Sequence, residues 1–274
     1  MTATHRPLGP APTARRGEPH EAGTPGTGLV MRSRIARRLL VNYRADPAVV
    51  APLLPPGFRP HTHDGWAIAG ICLIRLERLR PAGLPAALGH HSENIAHRVA
   101  VEWDGPAGPS TGVFVFRRDT SSRVVAALGG RAFPGVHGLG QIHAYDARCE
   151  LRISLVGPDV EVIVDAKPAA ALPPSSIFRT RHDASAFFEH GSVGWSPGRR
   201  PGSVEGVELS CPDWQVEPLA VRHAASSFLD DRARFPAGSI ELDHALLLRD
   251  LDAGWRRLPH RAAPRTGAHH RTRA

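Results

Sequence analysis

A single lysine, Lys167, stands among the 34 Lys and Arg residues of this 274-residue chain, and the other 33 are arginines. So lopsided a choice reads as coding bias more than as a phosphate-binding design. Cysteine is scarce as well: Cys72, Cys149 and Cys211 lie far apart, odd in number and without a CxxC pair. That argues against a disulfide framework or structural zinc and makes a reducing cytoplasm the expected location. No run of 18 apolar residues occurs, and the first 30 residues lack the apolar centre of a signal peptide, so neither a membrane span nor export is expected. The glycines of Gly135-x-x-Gly138-x-Gly140 do not spell GxGxxG, and no GxSxG elbow is present. The pairs His61/His63 and His90/His91 have no third ligand at a recognised spacing, so neither a metal nor a cofactor is expected.

The formal charge of +8 is carried by the ends of the chain. Residues 31–38 hold four arginines and residues 256–274 hold six, with no acid in either stretch, whereas residues 39–255 have 21 basic and 24 acidic residues. A slightly acidic body argues against a specific nucleic-acid partner, although a basic end attracts polyanions by charge alone. Residues 1–28, rich in Pro, Gly, Thr and Ala, and residues 257–274, rich in Arg and His, are expected to be disordered tails. Residues 29–256 between them show no repeat and no linker and read as one domain.

That body is strand-rich. Trp66 to Glu77 is an apolar stretch entered through Asp64-Gly65, a hairpin-type pair. Ile95, His97, Val99, Val101 and Trp103 alternate with polar residues such as Arg98 and Glu102, and Gly112 to Asp119 follows across an Asp104-Gly105 turn. His143 to Leu155 reads as one alternating strand, paired with Val160 to Ala166 across Gly157-Pro158-Asp159. Short helices are expected after Asp46-Pro47, after Ser121 or Ser122, and from an Asp183 cap to His190. Many strands with few short helices imply an α+β, mainly antiparallel β fold, a barrel or a sandwich.

Several stretches carry a family resemblance: Asn42-Tyr43-Arg44-Ala45-Asp46-Pro47, Leu53-Leu54-Pro55-Pro56-Gly57-Phe58 and Leu79 to Pro85 early in the chain. Further along come Ser92-Glu93-Asn94-Ile95 with Arg98, and Gly112-Val113-Phe114-Val115-Phe116 running to Asp119 and Ser121-Ser122-Arg123. Phe187 to Ser192 and Trp214 to Pro218 complete the series. In this order, over roughly residues 34–255, they resemble the YqjF-like proteins, an uncharacterised branch of the acetoacetate decarboxylase-like superfamily. The resemblance implies a closed antiparallel β-barrel or cone with small peripheral helices. In the decarboxylase branch it also implies a Schiff-base lysine activated by burial and a neighbouring cation. The comparable stretch here, Gly130 to Leu139, has no lysine, and the parity of Lys167 with Glu161 and Asp165 places it on a solvated face. A Schiff-base decarboxylase is therefore not expected.

The resemblance marks Glu93 as an interior carboxylate, and a buried Glu has a raised pKa suited to acid or base work. His137 lies near the position of the missing lysine. These two are the candidate catalytic residues. Arg117 and Asp119 share a face, opposite Phe114, Phe116 and Arg118, and Arg117 is a natural clamp for a carboxylate. With His97 and His143 they form the candidate substrate-binding set. Glu93, Arg117, Asp119, His137 and His143 are expected to converge on one enclosed cavity. The function read from the chain is a barrel binding a small organic acid or carbonyl compound, with self-association left open. The alternative is a lyase or isomerase in which Glu93 and a histidine perform acid–base chemistry.

Overall fold

The computed structural model describes residues 30–106, 108–129 and 133–262, so the expected tail over 1–28 and the part of the other beyond 262 lie outside the described residues. The first half of the chain runs β1 (Val30–Ala45), α1 (Pro47–Val50), β2 (Arg59–Pro60), β3 (Thr62–His63), β4 (Trp66–Pro81), β5 (His90–Gly105), β6 (Gly108–Thr120) and α2 (Arg123–Leu128). The second half runs β7 (His137–Leu139), β8 (Gln141–Ala147), β9 (Glu150–Val156), β10 (Glu161–Pro168), α3 (Arg181–Glu189), β11 (Val193–Pro197), β12 (Ser203–Ser210), β13 (Glu217–Ser226) and β14 (Ile240–Ala262).

The strands pair in the order β1-β4-β5-β6-β11-β12-β14, and β14 pairs back with β1, so seven strands form a closed ring. From β14 a second branch continues through β13, β10 and β9 to β8. All ring pairings are antiparallel except the short β6–β11 contact. The ring wall is therefore covered twice. Leu39, Val41, Ile71, Leu73, Ile95 and Val99 pack against Leu151, Ile153, Val162 and Val164 of the second branch. Leu40, Cys72, Ile74, Ala100, Leu246 and Leu248 pack in a second core, together with Val125, Phe178 and Phe188 from the helices and the loop before α3. A strand buried on both faces cannot alternate, which is why every residue of β4 from Ala67 to Ile74 is buried.

The local signals in the sequence explain several joints. Asp64 and Gly65 both take positive φ (48° and 81°) in the β3–β4 hairpin. Asp46 caps α1 through the Ala48 amide at 2.8 Å, with Pro47 in the first turn. Ser122 caps α2 through the Val125 amide. The expected Asp104-Gly105 hairpin joins β5 to β6.

Three expectations change. The stretch His143 to Leu155 is two strands, β8 and β9, folded back through a turn at Arg148-Cys149, with Ala147 opposite Glu150. The fold-back lets Asp146 meet Arg37 and Arg249. The cap of α3 is Thr180, whose side chain accepts from the Asp183 amide, so Asp183 is a first-turn acid. The presumed tail from 257 is strand as far as 262, because β12 offers it an open edge where Gly206 pairs with Leu258 and Val204 with Arg261. The basic stretch 31–38 lies in β1, within the span read as the domain.

Candidate functional site

All seven ring strands line one cavity of about 110 Å3. Arg38 comes from β1, Cys72 and Ile74 from β4, Asn94, Ala96 and Arg98 from β5, and Val113, Val115 and Arg118 from β6. Gly194, Leu209 and Trp255 represent β11, β12 and β14. Every strand of the closed ring thus contributes to its lining. Val125 of α2, Phe133, His137 of β7 and the pair Gly191 and Ser192 add to the wall.

The cavity wall is mostly apolar, and its polar groups include three arginines. Arg98 is buried, 3% exposed, and its Nη2 donates to Asn42 Oδ1 at 2.6 Å. Its Nη1 is buried without a hydrogen-bond partner, and its Cζ lies 5.0 Å from the centre of the Phe188 ring. Arg118 Nε donates to Ser196 Oγ at 3.0 Å, and Arg38 Nε donates to Cys72 Sγ at 3.4 Å. Burial pulls the Arg98 and Arg118 guanidiniums down to about 10, so both remain cationic at neutral pH. Among the described residues no carboxylate lies within 4.0 Å of a guanidinium nitrogen of Arg38, Arg98 or Arg118. Asp119 also lines the cavity, but Arg117 holds both of its oxygens, at 2.7 and 2.8 Å.

His137 meets the expectation of a cavity position. Its Nδ1 is buried without a hydrogen-bond partner, and burial together with nearby Arg118 pushes its pKa down to about 3. At neutral pH it is a neutral hydrogen-bonding group.

The other candidates stand elsewhere, and the expected convergence on one cavity fails at Glu93, Arg117 and His143. Glu93 pairs with buried Arg37 at 2.6 Å and with Arg75 at 3.6 Å, side by side on β5, β1 and β4, and it is not among the lining residues. Burial raises its pKa, and the two arginines oppose that rise. His97 is fully buried on the face of β5 away from Arg98, with Nε2 2.8 Å from Ser226 Oγ. Burial, then Arg117 and Arg234, lowers its pKa to about 3. Arg117 bridges Asp119 and Asp159, and His143 is exposed on β8. The grouping on β6 shifts because a bulge lies between the pairs His97–Arg117 and Arg98–Val115. The extra residue, Phe116, puts Arg117 and Asp119 on the same face as Phe114.

The residues that do converge are those sharing the parity of Arg98 on β5, namely Asn94, Ala96 and Arg98, joined by Arg38 and Arg118. The available signal was arginine and asparagine at every second place in strands flanked by apolar neighbours. The alternation alone did not say which face of β5 borders the cavity. His61 and His63 are used in stacking on Phe187 and Phe178, and His90 bonds Ser122. Among the described residues there is no cluster of three metal-ligating side chains, and no helix is long and apolar enough to cross a membrane.

With this geometry in view, the comparisons with known proteins fall into place. Residues 32–148 match the family DUF2071, described as an uncharacterized conserved protein (COG2071). That span contains the motifs from Asn42 to Arg123 on which the YqjF-like resemblance rests, and all the cavity residues of β1, β4, β5 and β6. No curated protein matches the chain. Among solved structures, an acetoacetate decarboxylase-like enzyme from Sphingomonas wittichii RW1 aligns with a TM-score of 0.53 and 14% identity, over 90% of this chain and 99% of that one. Acetoacetate decarboxylase from Legionella pneumophila gives 0.54 and 11%, over 89% and 90%. The enduracididine biosynthesis enzyme MppR, complexed with pyruvate, gives 0.51 and 13%, over 89% and 93%. At these identities the likeness is one of fold. The chain has the mostly-sheet, few-helix fold of the acetoacetate decarboxylase-like proteins.

Proposed function

We propose that this DUF2071-type chain binds a small organic carboxylate inside its strand ring, the ring acting as a small closed barrel. The observation that carries the reading is the set of three guanidiniums, Arg38, Arg98 and Arg118, lining one apolar cavity without a carboxylate partner among the described residues. A buried cation without a counter-ion costs several kcal/mol, about what one anionic ligand restores. The apolar wall of Ile74, Val115, Val125 and Leu209 suits a short hydrocarbon body, and about 110 Å3 has room for a ligand of roughly six heavy atoms. A fold neighbour was crystallised with pyruvate, a ligand of this chemical class.

Binding is non-covalent at nitrogen. The sole lysine, Lys167, is exposed on β10, a strand outside the ring. The scattered, unpaired cysteines favour work in the cytoplasm.

A second reading, acid–base catalysis of the lyase or isomerase type, draws on His137 alone, because Glu93 is not a lining residue. A carboxylate held by Arg118 would add negative charge beside the imidazole and raise its pKa from about 3 toward the working range.

Calorimetry with pyruvate, isobutyrate and their primary amides tests the main reading. The acids bind and raise stability, by about 3 kcal/mol at a hundredfold excess over Kd, and the amides do not. Equal binding of acid and amide would defeat it. Proton NMR of pyruvate in D2O separates the second reading: a pure binder leaves the methyl protons in place, and protein-dependent exchange that needs His137 would favour catalysis.

A further inference from the structure

Arg98 is tethered from behind by a row of side chains that never touch the cavity. The sheet register sets Arg98 opposite Gly70, Gly70 opposite Asn42 and Asn42 opposite His244, one rung running through β5, β4, β1 and β14. Gly70 is the gap that lets Arg98 reach across β4. A Cβ there would stand 2.4 Å from the Val41 carbonyl oxygen and 3.3 Å from Asn42 Oδ1.

The hydrogen bonds along this row can run in only one direction. A guanidinium has no acceptor, so Asn42 must turn its oxygen to Arg98, at 2.6 Å. Its Nδ2 then faces His244 Nε2 at 3.1 Å, and that nitrogen must accept. The ring proton therefore sits on Nδ1, 2.6 Å from Asp243 Oδ2. Asp243 is fixed in turn by the Ser176 hydroxyl at 2.7 Å and the Ile177 amide at 3.0 Å. Against the upward pull of burial, the hydrogen bonds from His244, Ser176 and Ile177 keep the Asp243 carboxyl below its ordinary range, so it is ionised. Asn42, Asp243 and His244 are each no more than 3% exposed, and none lines the cavity. Two neutral groups thus connect the buried cation to a carboxylate that stays out of its reach.

We infer that Asn42, His244 and Asp243 are positioning residues that hold Arg98 by Nη2 and leave Nη1, the buried atom without a partner, as the contact point for the ligand's carboxylate. The inference rests on the carboxylate reading above. It explains how the site keeps a cation oriented without neutralising it: a carboxylate in place of Asn42 would pair with Arg98 directly and remove the need for an anionic ligand.

The test is the ratio of isobutyramide to isobutyrate dissociation constants in the full chain and two variants. H244Q keeps an oxygen able to accept from Asn42 and retains the wild-type ratio. H244L offers no acceptor, frees the Asn42 amide to turn, and lowers the ratio about tenfold, the worth of one charge-assisted hydrogen bond. A purely structural His244 would lower the melting temperature in both variants without moving the ratio, and that result overturns the inference. If H244L does not fold, nitrogen NMR of histidine-labelled wild-type protein decides, with the His244 signal identified by its loss in H244Q. Nε2 unprotonated supports the relay, and Nε2 protonated refutes it. A wild-type protein with no preference for the acid over the amide would instead sink the carboxylate reading, and this inference with it.

Discussion

Arg98→Met separates the binding role of the residue from its structural one. The drop of the guanidinium from its ordinary 12.5 to about 10 corresponds to about 3 kcal/mol held against the folded, cationic state at neutral pH. Methionine fills much of the same space and removes that penalty. Two losses oppose the gain. Asn42 Oδ1 loses its 2.6 Å donor inside the protein, which costs about 1–3 kcal/mol, and the contact with the Phe188 ring gives up about 1–2 kcal/mol. The terms nearly cancel, so the variant should unfold within about 2 kcal/mol of wild type in urea at pH 7. Carboxylate affinity behaves differently. Losing a charge-assisted hydrogen bond of about 1.5–3 kcal/mol weakens isobutyrate binding by roughly 10- to 150-fold. Urea melts and calorimetry on the same preparations supply both numbers. A variant destabilised by more than about 4 kcal/mol that binds isobutyrate as wild type does would make Arg98 a structural residue and refute the reasoning.

Other consequences follow from the same contacts. His97 has a folded pKa of about 3 against 6.5 when unfolded, so below pH 6.5 the unfolded chain takes up a proton that the folded protein refuses. Its contribution to stability is therefore lost as pH falls from 6.5 toward 3, at about 1.4 kcal/mol per pH unit, and His97→Phe should flatten the pH dependence of the urea midpoint by that slope. Parallel curves would contradict the assignment. Gly138→Ala would set a Cβ 2.4 Å from Asp119 Oδ1, which Arg117 holds in a two-point grip, and should cost about 1–3 kcal/mol by thermal denaturation. Truncation after Arg256 removes the pairing of Leu258 with Gly206 and the cation–π contacts of Arg261 with Trp103 and Trp195, and should lower the melting temperature by several degrees. An unchanged melting temperature would return residues 257–262 to the tail. Borohydride with pyruvate should leave the intact mass unaltered, and a reduced adduct on Lys167 would overturn the non-covalent reading.

Much of the fold was legible because its signals are local. Asp64-Gly65, Asp46-Pro47 and Ser122 each fix a joint through their own backbone or side-chain preference. The turn at Arg148-Cys149 was not, since it carries neither glycine nor proline and the alternation runs through it almost unbroken. The pairings of β11, β12 and β14, which close the ring, depend on contacts far apart in sequence. The site was harder still. Parity correctly grouped Ile95, His97, Val99, Val101 and Trp103, but which side of β5 faces the cavity depends on where the second branch packs. With that face unassigned, Arg98 was not among the candidate site residues. On β6, the bulge at Phe116 reversed the parity on which the grouping of Arg117 rested. His137 was placed near the site through the family resemblance rather than by periodicity.

The central claim is that a carboxylate occupies the ring lumen against Arg98. A crystal structure of the wild-type protein grown with saturating isobutyrate tests it most directly. The account predicts density for the acid inside the ring, with a carboxylate oxygen about 3 Å from Arg98 Nη1 and the methyl groups against Val115 and Leu209. A lumen holding only water at saturating acid, or isobutyrate bound at the surface with Arg98 Nη1 still unpaired, would contradict it.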